Sequence, residues 1–537
     1  MKLKVVYEDL AVGARENFSA SASGASSLSN LSLLSGDKAV KDYINPCELN
    51  FTLLNAPGNV VPDDTSNCFA FVSNEVSDGN GDFTTDPVLT LTSSGQYSSQ
   101  GLTFVFDERI NRFPKSIAVQ WYNGSTLLSE MSFTPDSAKY FAQNPVEGYN
   151  KLVVTFSGVN MPYNRLTLKD IMYGKIREFG RPDIESFSLL HDLDPVGASI
   201  KINTMDFSLK QKTDIAYVFQ EKQAVRCYFD DELVSTTFIK SYQRNSRYSY
   251  DIESEDYIGL LDDTTFMGGM YSSKSFPVLI GEILDPVGVP YTLSDDLAGV
   301  TVSGYIPACS RREALRQAVF AASAVADTSW SKNVDIYTLD DTVSAVLDSS
   351  NTFTGQQTRI KDKLTELHLA AYAYVPITDT FTAYDAADSG TGSGIKVLFS
   401  EPLHDLSITN GSITESGVNY AIITANSGCV LTGKKYEKTQ SVTVIRNPNV
   451  LSGDKENIKE ITDFTLVNRS NVDALAQKCF DYYSNRYEIS EKIIAGTIKV
   501  GDKVTQNYGY MDDITERITT MKFNISGSAK NAEVTIT

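Results

Sequence analysis

The sequence predicts a mainly β fold with a small α/β part: an N-terminal β-sandwich of the jelly-roll kind, further β domains after it, and two short helices. Three observations predict this. Short runs of alternating apolar and polar residues recur along the chain with Gly, Asn, Asp and Pro between them, the pattern of half-buried strands and turns. Tyr (28) and Phe (26) are abundant, Gly numbers 34 and charged residues make up only 21%, a balance that favours short strands over helical bundles. Helical spacing is clear in only two places. At 537 residues the chain is too long for one core, and about 150 residues per domain gives three or four domains.

Residues 1–47 read as an N-terminal strip, in which Ser19 to Ser27 is purely Ser, Ala and Gly and predicts a flexible or surface-draped segment. Residues 48–180 read as the jelly-roll domain. Leu102, Phe104 and Phe106 share one strand face, as do Ile117, Val119 and Trp121, and again Leu152, Val154 and Phe156. Asn123-Gly124, between two such strands, is the strongest hairpin signal. Strands about ten residues apart with turn residues between them point to a sandwich or jelly roll. Phe179 to Asp183, FGRPD, is a short linker. A β domain follows over 181–299, with strands at Ser199 to Leu209 and Ala224 to Phe229.

The α/β part over 300–380 contains the best-written helix in the chain. Ser310 and Glu313 make a Ser-x-x-Glu capping box, and Leu315, Ala318, Val319 and Ala322 then line one face at 3.6-residue spacing. The alternating run Val334, Ile336, Tyr337 returns the chain to a sheet. A second β domain fills 381–537, with a Gly/Ser/Asp loop at Asp385 to Gly394. Its helix, 471–485, carries Val472, Leu475, Cys479 and Tyr482 inside. The closing strand alternates through Met521, Phe523 and Ile525.

Several near-motifs bear on chemistry. Gly428 to Lys434 has phosphate-loop spacing, but Lys435 stands where Ser or Thr should hold magnesium, and a strand follows where a helix is required; the segment reads as a hairpin. Gly390, Gly392 and Gly394 also precede a strand and read as a loop tip. Asp78, Asn80 and Asp82 alternate like calcium ligands without the rest of an EF-hand, which leaves a solvated turn or a different calcium site. Cys309 precedes a helix start, where thiolates are stabilised, and also fits an inert buried position. His191, His368 and His404 are the only histidines and form no metalloprotease motif. The pairs Asp230-Asp231, Asp262-Asp263, Asp295-Asp296 and Asp512-Asp513 are adjacent in sequence, whereas glycoside hydrolysis needs two carboxyls about 5–9.5 Å apart across a cleft. Trp121 shares its face with Ile117 and Val119 and reads as core, with Tyr122 pointing the other way.

A net charge of −20 argues against nucleic acid and anionic membranes, which demand a basic patch. No signal peptide is expected from a start interrupted by Glu8, Asp9, Arg15 and Glu16, and no apolar run nears the ~20 residues of a membrane span, so no membrane anchor is expected. Six scattered cysteines (Cys47, Cys68, Cys227, Cys309, Cys429, Cys479) indicate neither a disulfide framework nor zinc. Buried free thiols are the expectation.

Five stretches together carry a family resemblance. They are DYIGLLDDTTFMGGMY (Asp256 to Tyr271), GYIPACSRREALRQAVFAASAVADT (Gly304 to Thr328), LTGKKYEKTQSVTVIRNP (Leu431 to Pro448), NVDALAQKCFDYYSNRYE (Asn471 to Glu488) and TIKVGDKVTQ (Thr497 to Gln506). In this order, over roughly Glu185 to the C-terminus, the chain resembles the tail hub or baseplate hub proteins of bacteriophages and prophages of Gram-positive bacteria. The resemblance implies a structural virion protein without cofactors or enzymatic activity. It implies β-barrel-like hub domains that in a homotrimer form a six-fold-like ring, capping the tail tube and handing symmetry to a three-fold tip. The implied partners are copies of itself, the tail tube, and the distal tail and tip or spike proteins. The implied location is the tail tip or baseplate of the virion, after synthesis and assembly in the host cytoplasm. The run Tyr149 to Gly174, YNKLVVTFSGVNMPYNRLTLKDIMYG, resembles the end of galactose-binding-like jelly rolls of carbohydrate-binding modules. This implies a second function, a glycan-binding adhesin for host attachment, with Tyr97 and Tyr122 as candidate sugar contacts. A tail-associated cell-wall hydrolase is a third reading.

Overall fold

The computed structural model describes residues 2–35, 69–213, 215, 218–507, 513–524 and 531–537. The expected start of the jelly-roll domain at 48–68, with Cys47 and Cys68, and also Asp512 and Ile525, lie outside the described residues. The chain is mainly strand, and it divides into two compact units: Val6–Glu178, and Met1–Val5 with Phe179–Thr537. Six short α-helices occur among the described residues, where the sequence indicated two.

The unit Val6–Glu178 is organised by two 19-residue strands, Val88–Phe106 and Lys139–Ser157, paired antiparallel. Register shifts between Thr92 and Gly101 interrupt the ladder, and irregularities of this kind bend a strand. On one side of them Val88–Thr92 pairs with Ser19–Ser23; on the other, Thr103–Phe106 pairs with Thr167–Met172. The bend brings Phe104 and Phe106 edge-on to Phe156, at 6.2 and 6.1 Å. One seven-stranded sheet thus folds over itself into two layers, and the long strands run through both. All nine residues of the three expected apolar faces are fully buried in its core.

Ser19 to Ser27 is not a draped strip at its start. Ser19–Ser23 is a strand, with Ala20 and Ala22 packed on the core and the serines outward. Side chains this small carry too little apolar contrast for the alternation to show in sequence. The expected hairpin is present, with Asn123 paired to Thr126 and Gly124, at φ 61°, taking the first of two loop positions.

In the larger unit, strands hydrogen-bond in the order Gln357–Ile360, Tyr487–Ile494, Asn531–Ile536, Ile514–Asn524, Ile184–Asp192, Thr204–Lys210, Ser249–Glu255, Glu232–Arg244, Ala224–Phe229. Ala224–Phe229 has the expected bounds, whereas the strand expected from Ser199 begins at Thr204. The expected barrel-like closure is not what is found. Gln357–Ile360 ends the sheet as an edge whose four residues are all exposed, so among the described residues the sheet stays open there. The hairpin Ala224–Phe229 to Glu232–Arg244 turns on Asp230 and Asp231, both at positive φ, as a two-residue type I′ loop requires.

Helix Arg311–Ala321 starts at Ser310, whose Oγ accepts the Glu313 amide at 3.2 Å. The reciprocal half of the capping box is replaced. The Glu313 carboxylate instead takes two hydrogen bonds from the Arg316 guanidinium, each 2.7 Å, and one from Gln317. A charge-assisted bidentate pair is the stronger partner for it. Leu315, Ala318, Val319 and Ala322 are buried as expected, in one cluster with Leu279, Ile280 and Ile283 of the helix Phe276–Leu284. That helix was not expected: FPVLIGEIL is apolar nearly all round, so its periodicity is masked, and Pro277 in its first turn reads equally as a turn signal. The second expected helix is Val472–Tyr483, with Val472, Leu475 and Cys479 inside.

Candidate assembly surface

The longest ladder in the molecule joins Glu366–Asp385 to Tyr420–Arg446, strands of 20 and 27 residues, against a usual length of about five or six. Two separate buried clusters hold its ends. At the root, Leu367, Leu369 and Ala371 pack on Leu475, Ala476 and Cys479 of helix Val472–Tyr483. At the tip, Tyr384, Leu431, Ile423 and Val397 form another core. Between the two, Val375, Pro376, Thr378 to Thr380 and Glu437 to Thr439 are exposed.

Tyr420–Arg446 has strands on both sides only over part of its length. Glu366–Asp385 follows one side from Val430 to Arg446, while on the other side Leu403–Ser416 stops at the pair Leu403–Lys435. From Tyr436 to Arg446 the second side therefore carries no strand among the described residues. This open edge is built from Thr439, Gln440, Ser441, Val442, Thr443, Val444 and Ile445, seven uncharged residues without proline. Thr443 and Ile445 belong to the face with helix Val472–Tyr483, where Ile445 packs in the root cluster and Thr443 Oγ1 reaches Asp473 at 3.4 Å. Val442 and Val444 face the other way, 49% and 44% exposed. Charge is confined to the ends. Arg446 meets Glu366 at 3.1 Å, a hydrogen bond from His368 holds the Glu366 carboxyl below the usual carboxylate range, and the Lys438 ammonium lies 4.3 Å above the Tyr372 ring.

The other sequence candidates stand apart from this edge. Neither Tyr97 nor Tyr122 is fully exposed. The Tyr97 ring packs 5.5 Å from Phe18 and its hydroxyl donates to Gly13 O, while Lys151 Nζ lies 5.2 Å over the Tyr122 ring, where a sugar face would stack. Trp121 is fully buried, as read from sequence. At the calcium-like turn, Asp78 Oδ1 accepts the Asn80 and Asp82 amides, and Lys115 Nζ contacts Asp82 Oδ1 at 2.6 Å and Asn80 O at 2.5 Å. A lysine ammonium thus stands where a cation would be needed.

Neither glycine segment opens a helix, but the expected turns are not there: Gly428 to Lys435 lies inside the continuous strand Tyr420–Arg446, and Gly392 and Gly394 belong to the strand Gly392–Leu398. Burial pushes the Cys309 thiol up to about 12, with Glu313 adding to the effect, which outweighs any stabilisation from the helix start. Cys227, Cys429 and Cys479 are buried free thiols. Five of the adjacent carboxylates have partners of their own: Asp230 accepts from the Lys2 amide, Asp231 from Lys4, Asp262 from Arg312, Asp263 from Lys222, and Asp296 from Thr338. His191, His368 and His404 lie on three different strands. The open edge was missed in sequence because pairing, rather than composition, decides which side of a strand is free.

No protein-family model matches the chain, and no curated protein does. Among solved structures, the tail protein from Neisseria meningitidis MC58 is similar over 67% of this chain and 93% of its own, at 11% identity and a TM-score of 0.44. The 43 kDa tail protein of prophage MuSo2 from Shewanella oneidensis is similar over 68% of this chain and 95% of its own, at 11% identity and 0.42. Prophage tail protein gp18 from Listeria monocytogenes EGD-e is similar over 67% and 90%, at 11% identity and 0.39. Likeness of this degree does not by itself assign a function.

Proposed function

We propose that this chain is a structural component of a phage-type tail or baseplate, the hub, closing into a homotrimeric ring through its long sheet. The observation that carries the reading is the coincidence of the open edge at Tyr436 to Arg446 with LTGKKYEKTQSVTVIRNP, one of the five stretches on which the resemblance to tail hubs rests. A long, uncharged, β-branched edge invites pairing with any other chain, and soluble proteins blunt such edges with charge, proline or a cover. None of those devices is present between Thr439 and Ile445 among the described residues. A further copy of the same chain is the cover that a symmetric ring supplies, because each copy then offers the edge and receives its neighbour in turn.

On this reading the protein binds the tail tube and distal tail proteins through the assembled ring and catalyses nothing. The test is mass by light scattering at high protein concentration, together with imaging of assembled particles. A trimer in either setting is expected, and single copies in both would end the reading.

A further inference from the structure

The inner face of strand Tyr487–Ile494 alternates Ile489, Glu491, Ile493, so a carboxylic acid stands where the pattern calls for a third aliphatic residue. Glu491 is 6% exposed, and across from it Gln506, on strand Lys503–Gln506, is fully buried. Gln506 Nε2 donates to Glu491 Oε1. The two remaining oxygens, Glu491 Oε2 and Gln506 Oε1, are both buried and both without a hydrogen-bond donor among the described residues.

An ionised pair would therefore bury a negative charge with one hydrogen bond and leave both remaining acceptors without a donor, an arrangement that interiors avoid. One proton removes all of these problems. On Oε2 it neutralises the charge and becomes the donor that Gln506 Oε1 lacks, so that acid and amide are joined by two hydrogen bonds, O–H to carbonyl and N–H to carbonyl.

The surroundings supply no competing charge. On the same strand, Glu488 and Lys492 point to the opposite side, and Lys492 is paired across to Glu533 of Asn531–Ile536, whose inner residue opposite Glu491 is Val534. On Gln357–Ile360 the one charged residue, Arg359, meets Glu488. Beside Gln506, Val343–Leu347 presents Leu347. On Ile514–Asn524 the nearest titratable group on the inner side is Glu516, two residues beyond Ile514, in the field of Lys361, Lys503 and Arg517. The Lys503 ammonium is held by Asp341. Burial accordingly pushes the Glu491 carboxyl up to about 7, with the Gln506 bond as the only opposing influence.

We propose that Glu491 and Gln506 form a proton-held latch between the strands Tyr487–Ile494 and Lys503–Gln506, closed when Glu491 is protonated and loosened when it ionises. The inference is independent of the hub reading, since it concerns the interior of one copy. Its sign follows from linkage. The folded chain holds the proton up to about pH 7, whereas the unfolded chain releases it near 4.5, so stability falls as pH rises between these values and is level above them.

The experiment compares the full-length wild type with Glu491→Gln, which keeps a two-bond amide pair and cannot ionise, by hydrogen exchange corrected for intrinsic rate. In the wild type, opening of these two strands should increase by up to about tenfold per pH unit between about pH 4.5 and 7 and level off above, relative to Glu491→Gln. Equal pH dependence in both proteins overturns the latch. Infrared spectra of the wild type provide a second measure, should the variant fail to fold: a buried protonated-carboxyl band present at about pH 5 and lost by about pH 8 is expected. Absence of that band at about pH 5 overturns the proposal.

Discussion

His191 is fully buried between the rings of Trp330 and Phe523, 6.3 and 6.0 Å away, and neither of its ring nitrogens has a hydrogen-bond partner among the described residues. An imidazole carries at least one N–H, so an orphan donor is buried here whichever tautomer is present. Replacing it with an aromatic ring of similar reach, His191→Phe, should stabilise the protein by about 1–2 kcal/mol at neutral pH, read from urea denaturation. Burial holds its folded pKa at about 3, below the ordinary 6.5, so the wild type should lose stability as pH falls from about 6.5 towards 3, and the variant should lose less. Asp256 and Asp327 act in the opposite direction. Burial pushes both up to about 6, and their contribution is lost as pH rises from about 4 through 6. At the Asp78 turn, Lys115 already neutralises the acceptors, so calcium added to the protein should leave Tm unchanged in scanning calorimetry. A rise in Tm that Lys115→Met enlarges would show that the lysine competes with a real cation site. The rings of Tyr97 and Tyr122 show why exposure is hard to read from sequence. Both sit on strands with polar neighbours, yet one is drawn in by Phe18 and the other is covered by a lysine some 30 residues away in the chain.

Among the elements, helix Arg311–Ala321 was legible, apart from the partner of Glu313, because the Ser310 cap and the apolar stripe are close together in sequence. Ser310→Ala should cost about 1 kcal/mol and Leu315→Ala about 2–4 kcal/mol, measured by denaturant midpoint with unchanged slope. The helix Phe276–Leu284 was illegible for the converse reason: Val278 on its exposed side is as apolar as its buried residues, so the periodicity is masked. The strand Tyr420–Arg446 shows both limits. Alternation over Gln440 to Ile445 marked that part as β, but nothing in the residues said that Leu403–Ser416 would stop pairing at Lys435 and leave the rest open. If this edge is the seam between copies, Val442→Lys and Val444→Lys, both on exposed positions, should leave the fold and its Tm nearly unchanged while shifting the mass of the protein towards the monomer. Retention of the trimer by the double variant would place the seam elsewhere.

For the molecule as a whole, each copy carries a formal charge of −20, so copies brought together repel one another through solvent. Self-association through an uncharged edge should therefore strengthen with salt, as screening shortens the range of that repulsion to about 8 Å at 0.15 M, and light scattering across a salt series would show the mass rising. A mass that falls with salt would indicate an interface made by ion pairs instead. The sequence by itself determined the β class, the apolar faces of the bent sandwich and both amphipathic helices, since these follow from local alternation, spacing and caps. Tertiary structure alone decided that the sandwich is one sheet folded on itself, that the large sheet stays open at Gln357–Ile360, and that Lys115, Lys151 and Gln506 meet their partners. Each of these depends on which distant segment arrives as neighbour, and a strand's hydrogen bonds run through backbone groups that every residue except proline shares. Side chains therefore record which face of a strand is buried, but its edges are settled only when the chain has folded.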